Sequence, residues 1–219
     1  MFAWPPSTLV DRVIPKSKIV RNTSARGRLR KLLTEDVHEI RWLAKLSPET
    51  VKIPATKQVP EIAVFRIALK EDRLQSQILD LLDRAIAPPI LFIVLRPDGA
   101  ECHSAAYKRP SEADASQWVT TQRHTTTFQP PVSELPPLPA AIDLERLYAG
   151  LLAPILPLEP RSGESLREWT DRCASFDQLA RQIESCTTSI HREKQFNRKV
   201  EMNRKLNELK TDLEKLKNP

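Results

Sequence analysis

Glu61, Asp98, Glu101 and Lys108 are the residues of this chain whose types suit metal-assisted hydrolysis. Carboxylates converging on a divalent ion, with an ammonium beside them, would activate water and hold developing charge. The familiar nuclease spacing puts an acid, one intervening residue and a lysine on a single strand, and no strand here reads that way. Glu101 and Lys108 are seven positions apart, which places them towards opposite ends of one strand. Whether any catalysis occurs therefore stays open at this level. The four histidines, His38, His103, His124 and His191, are scattered. Cys102 and His103 are adjacent on a strand and point to opposite faces, so they cannot share one inward-facing ion, and no metal site is expected.

A second chemistry is phosphate binding. From Lys16 to Lys31 the chain carries Lys16, Lys18, Arg21, Arg26, Arg28, Arg30 and Lys31 without an acidic residue. Lys108 and Arg109 leave their strand beside Tyr107, where they could bind phosphate or cap and clamp the following helix or turn. Near the carboxyl end, Arg192, Lys194, Arg198, Lys199, Arg204 and Lys205 crowd one helix, interleaved with Glu193, Glu201 and Glu208. Such clusters suit the backbone of a nucleic acid, an acidic protein, or simply solvent.

The elements that must position these groups centre on residues 61 to 107. EIAVFRIAL reads as a strand, rich in Ile, Val and Phe without Gly or Pro. Leu74, Ile78, Leu81, Leu82 and Ala85 then recur at helical spacing until Pro88 and Pro89. ILFIVL, a PDG turn and ECHSAAY follow, giving strand, helix, strand, turn, strand. A crossover would pair the first two strands in parallel, and the turn would add the third antiparallel. SQWVTTQRHTTTF is expected to supply one or two more strands. A helix is expected from about Ser24 to Leu46, with Leu29, Leu32 or Leu33, Val37, Ile40 and Leu43 on one face. PPVSELPPLP reads as a polyproline-like connector, either free or packed along the surface. The helix AIDLERLYAGLLAPIL then closes the core.

The fold class expected is α+β: a three- to five-stranded mixed sheet with flanking helices, followed by a long basic C-terminal helical arm. The core domain spans 1–160 and the arm 161–219, helical or coiled-coil-like, with a weak point at CTTS (186 to 189). Met202, Leu206, Leu209, Leu213 and Leu216 alternate steps of four and three, as a coiled-coil seam does. A helix this long must fold back as a hairpin or meet a partner, and self-association through 202–216 is one such outcome.

The chain has 219 residues and a net charge of +6, with only 4 glycines. Basic residues outnumber acidic ones 12 to 5 over residues 1–60 and 13 to 10 beyond residue 160, whereas the middle carries 9 against 13. Neither GxGxxG nor GxxxxGK[ST] is present, and no cofactor is expected. Three cysteines at wide spacing form no disulfide framework. No apolar run approaches a membrane span, nor does the start resemble a signal peptide, so a soluble cytoplasmic protein is expected.

In order along the chain, FAWP, PKSKI, KIPAT, PEIAVFRIALK, PILF, AAYKRPSEAD, LPLEPRSGESL and REKQFNRKVEMN together resemble a bacterial family, the domain-of-unknown-function family numbered 4391. The resemblance covers nearly the whole length and carries over no catalytic residues. Family members tend to be encoded near helicases and DNA methyltransferases of restriction or phage-defence systems. The resemblance thus implies a non-enzymatic accessory or assembly protein with a helicase or DNA methyltransferase as partner and DNA as a further one. An unusual metal-dependent nuclease is the alternative.

Overall fold

The computed structural model describes residues 2–21, 26–114 and 117–218, with Arg21, Arg26 and Leu29 described by backbone alone. It divides into two compact units, residues 1–155 and 156–219.

The first unit is built on one six-stranded sheet in sequential order. Its strands are β1 (Leu9–Val13), β2 (Val37–Leu46), β3 (Ile62–Leu69), β4 (Ile90–Leu95), β5 (Glu101–Pro110) and β6 (Trp118–Thr125). Only β3 and β4 run parallel, from Ala63 opposite Ile90 to Ala68 opposite Leu95. The crossover between them contains α4 (Ser76–Ala85), the amphipathic helix that Leu74 to Ala85 predict. The other neighbours are antiparallel. The PDG turn forms as its residues require: Gly99 has φ +86°, and Asp98 Oδ1 accepts from the amide of Ala100 at 2.9 Å.

The helix expected from Ser24 to Leu46 does not form as one element. Ser24 lies outside the described residues. The remainder divides into α2 (Arg26–Glu35), preceded by α1 (Lys16–Arg21), and strand β2. The cause lies in the strand itself. Its pairing with β3 shifts register between Val37 and Glu39 and again between Trp42 and Ala44. Each shift inserts a residue, so Val37 and Ile40 face the same core three positions apart. Bulges thereby imitate a helical repeat. With β1, also unforeseen, the sheet reaches six strands.

One face of the sheet packs against α1, α2 and α4 through Ile19, Leu33, Ile78 and Leu82, which meet Phe65, Ile67, Phe92 and Val94. Residues of opposite parity, Leu91, Ile93, Ala105 and Tyr107, are buried as well. On that side α5 (Leu144–Leu152) brings Tyr148 within 6.1 Å of the Tyr107 ring. Asp143 caps α5 by accepting from the amide of Arg146 at 2.8 Å. The proline-rich segment before α5 is tied at two points. Pro136 accepts from the amide of Ala3 at 2.8 Å, and Pro139 lies against Gly150. A short helix, α3 (Pro48–Val51), follows β2.

The second unit is a helical hairpin. α6 (Leu166–Arg192) starts on a capping box between Ser165 and Glu168 and runs unbroken through CTTS. Thr187, Thr188 and Ser189 return their hydroxyls to carbonyls four residues back, a bond that a helix tolerates without breaking. The break falls instead at Glu193–Gln195, where the Glu193 carboxylate accepts from the amides of Lys194 and Gln195. Those bonds hold Glu193 below the usual carboxylate range. α7 (Phe196–Lys217) then runs back along α6, so that Cys186 approaches the carbonyl of Met202. Arg172 closes the open end. Its guanidinium meets both oxygens of Glu164 at 2.7 Å and donates to the carbonyls of Glu159 and Leu216. The seam is turned inward: Leu206 is buried, and Met202, Leu209, Leu213 and Leu216 are half-buried.

Candidate functional site

Two sheet ends divide the four carboxylate and lysine candidates. Glu61 precedes β3, beside the start of β4, and its Oε2 lies 2.7 Å from Lys45 Nζ. Glu101 pairs with Leu95 at the far end of β4. Five strand steps separate those ends, about 16 Å at ~3.3 Å per residue. Asp98 belongs to the turn beyond β4, where it closes the backbone and lies 3.7 Å from Arg96. Glu101 Oε1 lies 3.2 Å from His103 Nε2. Lys108 returns to the Glu61 end. The four residues thus form two separated pairs and cannot share one ion. Among the described residues, no group of three or more His, Cys, Asp and Glu is placed to hold a metal.

Lys108 has a different setting from the one its sequence context suggests. Cys102, Ser104, Ala106 and Lys108 alternate onto one face of β5, and Lys108 is 2% exposed. Its Nζ donates to the main-chain carbonyls of Asp83 and Ile86 at the C-terminal end of α4. These are among the carbonyls a helix leaves without intrahelical partners, and a cation also suits the negative end of the helix dipole. Asp83, equally buried, gives Oδ2 to Arg123 of β6, while its Oδ1 sits 4.0 Å from Lys108 Nζ without a hydrogen bond. Arg123 also reaches Asp80 Oδ1 at 2.8 Å and lies 5.2 Å above the Phe92 ring. Burial lowers Lys108 to about 8, with Asp83 opposing the shift and Arg123 adding to it. Burial pushes Asp83 upward against the pull of Arg123 and Lys108. Lys108 thus clamps not the helix or turn that follows it, as its sequence context suggests, but α4, which precedes its strand. Asp83 and Arg123 could not be found from spacing, since they lie on two elements distant along the chain. The one signal in the sequence was Asp83 itself, a charge among the apolar residues of α4.

The basic clusters differ in how much of their charge reaches solvent. Lys16 is half-buried, its Nζ donating to the carbonyl of Val37, and burial lowers its pKa. Lys18, Arg28, Arg30 and Lys31 are exposed. The side chains of Arg21 and Arg26 lie outside the described residues. Arg109 is half-buried and donates to the carbonyl of Pro110 at 3.3 Å. At the turn of the hairpin, Arg192, Lys194, Arg198, Lys199, Arg204 and Lys205 are all exposed. Arg204 lies 3.3 Å from Glu208, and Arg198 and Lys199 add to the lowering of the Glu193 carboxylate. Phe196 and Val200, one turn apart among them, are 77% and 53% exposed. The three thiols are free, and burial pushes Cys102 up to about 12 and Cys173 up to about 11.

The fold defines an α+β protein whose mixed sheet is followed by a basic helical hairpin. The chain belongs to the family described as domain of unknown function (DUF4391), whose model matches residues 2–213. No match was found among curated proteins or among solved structures. Among the described residues, no helix is long and apolar enough to cross a membrane.

Proposed function

We propose that this protein is a non-enzymatic accessory or assembly protein of a bacterial DNA restriction or phage-defence system, acting in the cytoplasm and contacting nucleic-acid phosphates through the turn end of its hairpin. The observation that carries the reading is the exposure of all six basic residues there. Exposed cations can neutralise phosphates and release counterions from a polyanion. Inward packing of the 202–216 seam favours contact through the outer basic surface over self-association through the seam. The gene neighbourhood of the resembled family supplies the partner class, a helicase or DNA methyltransferase. The scattered carboxylates give the nuclease alternative no comparable support.

Binding to duplex DNA across a salt series tests this. The protein is compared with a variant in which Arg192, Lys194, Arg198, Lys199, Arg204 and Lys205 are replaced by glutamine. Affinity of the native chain should fall with salt, and every phosphate that the variant no longer neutralises should flatten the log–log slope by about 0.9. Equal slopes for the two proteins, or no binding by the native chain at low salt, would overturn the proposed phosphate contact.

A further inference from the structure

The geometry points to a binding site for a small apolar acid, in a cavity of about 290 Å³ within the first unit. Its walls come from α1 and Ile14 ahead of it, from β2, from β3 with Glu61 just before it, and from the end of α4 with Ile86 and Pro88 beyond it. Trp42 and Phe65 form one wall, their rings 6.2 Å apart and inclined by 10°. Ile14, Ile19 and Ile86 face the same space. Trp42 cannot serve a polar ligand there, because its indole N–H already donates to the carbonyl of Ala44 at 3.0 Å. The interior therefore offers apolar surface, and whatever fills it must bring an apolar body.

Charge enters through Lys18 and Glu61, the two ionic residues of the lining. Glu61 is already matched by Lys45 at 2.7 Å, whereas Lys18 is exposed and has no recorded carboxylate partner among the described residues. The local balance is one uncompensated cation, which selects an occupant with a single negative group. The volume corresponds to that of about ten liquid waters, room for one substituted ring or a short branched chain. Ile86 is fixed as a wall because Lys108 holds its carbonyl. Neither the hairpin nor its basic residues take part, so this site stands independently of the proposed phosphate contact.

Benzoate and its uncharged counterpart benzyl alcohol serve as probes, read through the isoleucine methyl resonances of the full chain. Benzoate should shift Ile14, Ile19 and Ile86 saturably, with a dissociation constant on the order of a millimolar or below, and benzyl alcohol should bind more weakly. Lys18→Gln should weaken benzoate about two- to fivefold, the range of an exposed ion pair, and leave the alcohol unchanged. Ala85→Leu, a helix-compatible change that fills the cavity, should abolish both. The site is overturned if benzoate leaves these methyls unmoved. The acid preference is overturned if both probes bind alike and Lys18→Gln affects neither. Because Lys18 is exposed, that variant provides the test even if Ala85→Leu fails to fold.

Discussion

Replacing Lys108 with methionine separates what its hydrogen bonds contribute from what its charge costs. The substitution leaves the carbonyls of Asp83 and Ile86 without their donor and leaves Arg123 and Asp80 as the nearest charges to Asp83. Two orphaned carbonyls cost about 1 kcal/mol or more each, and the weakened Asp83 environment adds about another. Against this, the variant removes an ammonium that burial disfavours. A lysine with an ordinary value of 10.5, lowered to about 8 in the fold, releases its proton earlier when folded than when unfolded. Between those values the unfolded chain binds more protons, so native stability rises with pH across that window, by about 3 kcal/mol in total. Below pH 8 the two terms nearly cancel, and Lys108→Met should lie within about 2 kcal/mol of the native protein. Near pH 10 the neutral amine still has two N–H groups for two carbonyls, and the native protein should be more stable by about 3 kcal/mol. Urea unfolding of both proteins at intervals from pH 7 to 10.5 measures the difference, in which other titrating groups largely cancel. A difference that stays flat, or that shrinks as pH rises, would refute the reasoning.

Two other perturbations address packing. Arg172→Met removes the buried guanidinium that ties Glu164 to the carbonyls of Glu159 and Leu216. It should destabilise the hairpin by about 3 kcal/mol in urea, as removing one partner of a buried pair does. Arg172 holds Glu164 below its ordinary value of 4.5, so this contribution is present above that value and lost as pH falls through the lower folded one. The destabilisation should therefore shrink in acid, and a pH-independent cost would count against the ion pair. Gly150→Ala should gain about 1 kcal/mol of helix propensity yet place its Cβ 2.7 Å from Pro139 Cβ and 2.9 Å from its Cγ. A net loss of about 1–2 kcal/mol in thermal unfolding is expected, whereas stabilisation would show that the proline segment is not held against α5.

The centre of the fold was legible because β3 and β4 are unbroken apolar runs and α4 keeps a helical period, each bounded by proline or turn residues. Periodicity failed where the backbone departs from it. The two register shifts in β2 give a strand the spacing of a helix, and only its pairing with β3 distinguishes them. Similarly, α6 runs through its Thr and Ser residues, whose hydroxyls bond back four residues without breaking it, while at the reversal the Glu193 carboxylate accepts from the next two amides. Composition could not distinguish a break-forming glutamate from the acidic residues that merely support the helix face.

The positive charges show the same limit with more consequence for function. A run of basic residues in sequence says nothing about where each ammonium ends. Lys16 and Lys108 donate to main-chain carbonyls of β2 and of the end of α4. Lys108 is buried and no longer free to meet a ligand, while Lys16 is half-buried. Lys18, only two residues from Lys16, remains exposed at the mouth of an apolar cavity, and the hairpin cations remain outside altogether. Neutralising Lys108 should thus act on stability, most clearly at high pH, whereas neutralising Lys18 or the hairpin residues should act on binding with little change in the unfolding midpoint. That separation by burial gives the basic residues distinct roles that their number and spacing in the chain do not reveal.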